Sequence, residues 1–193
     1  MNLGFVGMAA ALGLSAAGSA FGTGFAGMSS IGAWKKCYAA GKPAPFIMVA
    51  FTGAPLTQTI YGYLLMNFIR TTEGVDPMKA FGVGLFGGLA IGLSALFQGK
   101  CAAAASDALG STGKGTSNYL IVIGVIETVA LFTLVFCLLL LRETAAGVNG
   151  EVSMGTVLFD TFAHPGSIQC NLSLHPFRKQ CAPYGRIAPV LIF

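Results

Sequence analysis

Apolar residues along this chain fall into four long runs separated by short polar stretches. The first, residues 3 to 33, is studded with glycine (Gly4, Gly7, Gly13, Gly18, Gly22, Gly24, Gly27, Gly32). Gly18 and Gly22 stand one helical turn apart, a spacing that lets two helix backbones approach closely in lipid. Lys35, Lys36 and Lys42 then mark a polar loop from Trp34 to Pro45. The second run, about Phe46 to Ile69, contains the most polar mid-run cluster in the chain, Ala54-Pro55-Leu56-Thr57-Gln58-Thr59-Ile60-Tyr61. A loop with Arg70, Glu73, Asp76 and Lys79 leads to the third run, about Ala80 to Ala105, which carries Gln98 and Lys100 towards its end. A Gly/Ser/Thr loop, Ser106 to Ser117, precedes the fourth run, Asn118 to Leu141. Each run reaches the roughly 20 residues a bilayer requires of a helix, so the pattern predicts four spans. The first run is about twice too long for a signal peptide and nothing basic precedes it, so it is read as a spanning helix.

The fourth run is nearly free of polar side chains, yet Glu127 sits in its middle. An acidic group at that depth costs about 3 kcal/mol on insertion scales unless something compensates it. Glu127 is therefore the leading candidate for a functional residue, against the plainer alternative of a protonated carboxyl that only packs helices.

The four spans read as a duplication. Gly13-Leu14-Ser15-Ala16 recurs as Gly92-Leu93-Ser94-Ala95, and Gln58-Thr59 in the second span stands where the fourth has Glu127-Thr128. Two tandem hairpins of the same orientation, residues 3–70 and 79–145, give an all-α membrane protein with one carboxylate per four helices. Lys35, Lys36, Lys42, Lys100 and Lys114 lie at the first and third loops, against Arg70, Lys79 and Arg142 opposite. The positive-inside rule then places those loops in the cytoplasm and both termini outside.

Composition agrees. Of 193 residues, 54% are hydrophobic and only 9% charged, where a soluble domain carries about 25%. No stretch has the size or mix of a catalytic domain, no nucleotide-binding loop is present, and a net charge of +4, scattered along the chain, gives no case for nucleic acid. The cysteines (Cys37, Cys101, Cys137, Cys170, Cys181) form no CxxC pair, and the first three read as small fillers or loop residues. From about residue 147 to 193 the Gly/Ala pattern is lost; this atypical tail, with His164 and His175, is read as weakly ordered and outside the functional unit.

A constellation of oxygens accompanies Glu127. Thr57 and Tyr61 share a helix face with Gln58 beside them, and Gln98 adds an amide from the third span. Pro55 removes a backbone donor and disturbs the carbonyl four residues back, leaving carbonyls near Phe51 to Ala54 less fully bonded. Hydroxyl, amide, carbonyl and carboxylate oxygens make a hard site of charge −1 that balances a monovalent cation. Tyr61 is placed to donate its hydroxyl to Glu127. The plainer alternative is interhelical hydrogen bonding without an ion.

The duplicated hairpin, the run from Pro55 to Gly62, the segment Gln98-Gly99-Lys100-Cys101-Ala102-Ala103-Ala104 and Ile126-Glu127-Thr128 resemble the proteolipid (the K or c subunit) of V-type ATPases, most closely the bacterial sodium-pumping type. The likeness covers about residues 3 to 145. It implies a multi-pass subunit of the bacterial cell membrane, repeated as identical copies in a rotor ring, in contact with lipid and with no ATPase chemistry of its own. Glu127 would load an ion from a half-channel of a stator subunit, whose arginine competes for the carboxylate, and the cytoplasmic loops would meet central-stalk subunits. The implied sodium ligands are the side chains of Thr57, Gln58, Gln98 and Glu127 with the backbone carbonyl of Ala54, supported by Tyr61. Relatives often have Leu at the Ala54 position, where only the backbone oxygen is used. The tail has no counterpart. A proton needs only Glu127, whereas the oxygen cage favours sodium. The competing reading is a small channel or secondary transporter with an intramembrane carboxylate.

Overall fold

A computed structural model describes residues 3–145, and every element among them is helical: α1 Leu3–Ala39, α2 Met48–Gly53, a 3₁₀ turn Ala54–Leu56, α3 Thr57–Thr71, α4 Pro77–Thr112 and α5 Thr116–Ala145. The tail from 147 onward lies outside the described residues, and with it the expectation of weak order. Three helices are individually long and apolar enough to cross a membrane, α1, α4 and α5. The second predicted span instead runs as α2, the 3₁₀ turn and α3 in unbroken succession. The interruption has a local cause. Pro55 brings no N–H to the helical ladder, and Thr57 N–H closes back on the Ala54 carbonyl in the tighter i→i+3 pattern.

The helices overrun the predicted loops. α1 continues through Trp34–Ala39 and α4 through Ser106–Thr112, both expected as loop. Ala, Ser and Lys do not stop a helix; the stops are Gly41 and Gly113, both at left-handed φ (64° and 67°). At 37 residues α1 is about 55 Å long, well beyond a hydrocarbon core of about 30 Å. Its surplus turns pack on those of α4. Ser30 Oγ meets Ser106 Oγ at 2.9 Å, Cys37 Sγ faces Gly110 O at 3.5 Å, and an exposed pair joins Lys36 to Asp107 at 2.7 Å. The start of α4 is fixed by its sequence: Asp76 accepts from Met78 N–H at 2.7 Å, and Pro77 occupies the first turn.

α1 and α4 form the backbone-to-backbone wall that the glycine pattern predicts. Gly7 abuts Ala80 and Gly84, Gly88 abuts Ala11, Gly92 abuts Leu14, Gly22 abuts Gly99, and Gly110 abuts Ala33. Both series ascend together, so the helices are parallel, as a same-orientation duplication requires. At Gly18 an added Cβ would run into the main chain of Gly92 itself. α3 runs antiparallel to α1, with Gly62 on Ser15 and Pro55 on Gly22.

Apolar burial divides into two clusters along the bundle. One gathers Leu65, Ile69, Ala80, Ile91, Ala130, Leu134 and Leu141, with Tyr61 packed on it. The other gathers Ala26, Met48, Phe51, Ala102, Leu109 and Ile123, with Ala54 packed on it. The polar residues of the second span therefore lie at the junction between the two.

Candidate ion-binding site

At that junction a chain of hydrogen bonds links α3, α4 and α5. Tyr61 Oη donates to Glu127 Oε1 at 2.9 Å. Gln98 Nε2 donates to Ile123 O at 3.1 Å and, at a longer 3.4 Å, to Glu127 Oε2. Gln58 Nε2 donates to Gln98 Oε1 at 2.7 Å. Thr57 Oγ1 donates towards Gln58 Oε1 at 3.2 Å and Ala54 O at 3.0 Å. All six sequence-predicted residues thus belong to one continuous network, although Thr57, Gln58 and Ala54 reach Glu127 only through Gln98.

Local structure explains each position. Pro55, Gln58, Gly62, Leu65 and Ile69 are the buried stripe of the second span, so Gln58 points into the bundle and has no exposed surface. Tyr61 and Thr57, one turn apart, lie at the edge of that stripe and are half-buried. Gln98, also without exposed surface, follows Ile91 and Ala95 on the buried stripe of α4. Glu127 is half-buried on α5, beside the exposed apolar residues Val125 and Val129. The carboxylate is reached from the flank of the bundle while its partners are interior.

Two details differ from the sequence expectation. Gln98 turns its amide N–H₂, and not its oxygen, to Glu127, because the Ile123 carbonyl beside it can only accept. The Ala54 carbonyl is not idle either: it accepts both the Thr57 N–H and the Thr57 hydroxyl. Five oxygen-bearing groups stand together, but coordination of a cation by Gln98 requires its amide to turn over. The donor set itself suits a hard monovalent ion, with one carboxylate, two amides, a hydroxyl and a carbonyl and no sulfur or imidazole. No cluster of three His, Cys, Asp or Glu occurs among the described residues.

Sequence reasoning overlooked Ser94, whose Oγ donates to Ile126 O at 3.0 Å and ties α4 to the turn that carries Glu127. The signal was present, since Ser94 is the repeat partner of Ser15, whose hydroxyl bonds Ala11 O at 2.7 Å and faces Gly88 O at 3.4 Å. Both repeat serines sit at contacts between helices.

Residues 81–140 match the family described as the C subunit of ATP synthase. The chain is also similar to the A-type ATP synthase subunit K of Methanocaldococcus jannaschii, 35% identical over 159 residues, covering 80% of this chain and 69% of the relative. The bacterial character in the sequence resemblance rests on the motifs alone.

Proposed function

Since the chain belongs to the ATP synthase proteolipid family, that of the C and K subunits, we propose that it carries sodium on Glu127 as its ring turns against a stator. Membership makes it a non-catalytic, ion-translocating rotor subunit of the membrane sector and sets aside a freestanding channel or secondary transporter. The ring of identical copies is what the family implies. Four spans, a competing stator arginine, central-stalk contact at the loops holding Lys42 and Lys114, and extracytoplasmic termini complete the proposal.

The observation that carries it is the Tyr61–Glu127–Gln98–Gln58 chain of hydrogen bonds at the middle of α5. In the loaded form sodium, the cargo, sits among Glu127, Gln98, Gln58, Thr57 and the Ala54 carbonyl. Its charge cancels that of the carboxylate, which lowers the cost of moving the group through lipid. Tyr61 holds the ionised carboxylate by a charge-assisted hydrogen bond. Opposite a stator arginine the carboxylate changes partner and the ion leaves. For protons the same cycle needs only Glu127. The oxygen-rich surroundings support sodium.

Carbodiimide labelling of membranes tests this, because the reagent attacks the protonated acid. Labelling at Glu127 that sodium suppresses and potassium does not, with suppression weakening as pH falls and protons compete for the carboxylate, is the expected result. Labelling indifferent to sodium makes the ion a proton. An unreactive Glu127 removes it as the carrier.

A further inference from the structure

Among the described residues, the buried side-chain oxygen of Ser19 is the one without a hydrogen-bond partner. The other serine and threonine hydroxyls of α1 all find one. Ser15 and Thr23 bond carbonyls of their own helix, Ser29 bonds Ala103 O, and Ser30 bonds Thr52 and Ser106. Ser19 does neither, although it is only 1% exposed and its own helix offers a carbonyl four residues back. A buried polar atom left unpaired in a bundle that otherwise satisfies its hydroxyls calls for an explanation.

Its level in the bundle supplies one. Ser15 packs on Gly62 and Gly22 on Pro55, along antiparallel α1 and α3. Ser19 lies between Ser15 and Gly22, and Gln58 lies between Pro55 and Gly62 on the matching buried stripe. The orphan hydroxyl is therefore at the level of Gln58 in the bundle, on the one long helix that contributes nothing to the site.

The Gln58–Gln98 bond has a direction that a cation reverses. Gln58 N–H₂ is committed to Gln98 Oε1. When Gln98 turns that oxygen to a cation, its own N–H₂ comes round to Gln58, and two amide donors cannot satisfy each other. The Gln58 N–H₂ then needs a new acceptor within the bundle. A hydroxyl, with two lone pairs and a rotatable hydrogen, is the group that fits. We propose that Ser19 is a positioning residue of the sodium site, receiving the Gln58 amide N–H when the amide oxygens of Gln58 and Gln98 turn to the ion. This rests on the sodium reading above.

The test is a titration of sodium protection against carbodiimide at Glu127, in membranes holding the assembled complex, at fixed pH and ionic strength. Ser19→Ala is expected to raise the sodium concentration for half-protection about fivefold, the worth of one intramembrane hydrogen bond. The pH profile of labelling without sodium is expected to stay as in the parent, because a proton on Glu127 needs no amide rotation. Ser15→Ala, which removes a hydroxyl bonded to its own helix, is expected to leave the half-protection point unmoved. A Ser19→Ala midpoint within about twofold of the parent overturns the proposal. So does an equal shift in Ser15→Ala, which marks general loosening. Removing an unpaired buried hydroxyl is otherwise neutral or stabilising, so the variant is expected to accumulate normally. If the parent itself shows no sodium protection, the sodium reading fails and this inference falls with it. That outcome is distinct from a failure confined to the variant.

Discussion

The two helix pairs of this bundle solve opposite problems. α1 and α4 touch main chain to main chain, through Gly7, Gly18, Gly22, Gly84, Gly92 and Gly99, with the hydroxyls of Ser29, Ser30 and Ser106 bonding a carbonyl or one another and that of Ser19 left unpaired. α3 and α5 are held by Leu65, Ala130 and Leu134 on one side of a polar chain centred on Glu127. In lipid the first arrangement gains from dispersion at close range, and no water-driven term assists it. The second carries a carboxylate that is costly unless paired. One pair is a close-packed wall and the other holds the mid-span carboxylate, so damage to each should read out differently.

The largest expected effect is on the wall. Gly18→Val puts a branched side chain where even a Cβ meets the Gly92 main chain, and neither helix can yield without parting from the other. We expect no folded protein in the membrane, seen as loss of protease resistance in detergent extracts. Glu127→Gln should do the reverse: normal accumulation, with sodium uptake by the reconstituted complex abolished. If Glu127→Gln also failed to accumulate, the carboxylate would be part of the packing and the contrast between the pairs would be lost.

Smaller effects sharpen the contrast within the site. Gln98→Leu removes the shared partner of Gln58, Ile123 and Glu127 and leaves the Gln58 amide without its acceptor. A rise of tenfold or more in the sodium needed for half-protection is expected, roughly the worth of more than one intramembrane hydrogen bond. Tyr61→Phe removes a single bond at 2.9 Å and should cost about 1 kcal/mol, a fivefold shift in the same titration. Lys36→Ala breaks only the exposed pair with Asp107; a change under about 1 kcal/mol in stability and none in ion uptake is expected from thermal unfolding and transport assays.

Much of both regions was legible in the sequence, for identifiable reasons. The glycine run of α1 announced close helix contact, and the Gly-Leu-Ser-Ala repeat two halves of one orientation, because close approach in lipid needs small residues at helical spacing and little else does. Pro55 announced a break, since a missing donor is a local fact. What failed were the loop boundaries. Trp34–Ala39 and Ser106–Thr112 carry lysine, serine and threonine, which suggest a loop by polarity, but the helices run on to the left-handed glycines Gly41 and Gly113, and the extra turns pack through Ser30–Ser106, Cys37–Gly110 and Lys36–Asp107.

Sequence by itself determined the apolar spans, the break at Pro55 and the single mid-span acid Glu127, because bilayer thickness and charge burial act on length and composition within one segment. Only the tertiary structure decided that Gln98 offers its N–H₂ to Glu127, that Ser94 fastens Ile126, and that Ser19 is left without a partner. A hydrogen bond has a direction, and that direction is set by whichever donor or acceptor a neighbouring helix, remote in sequence, brings within about 3 Å.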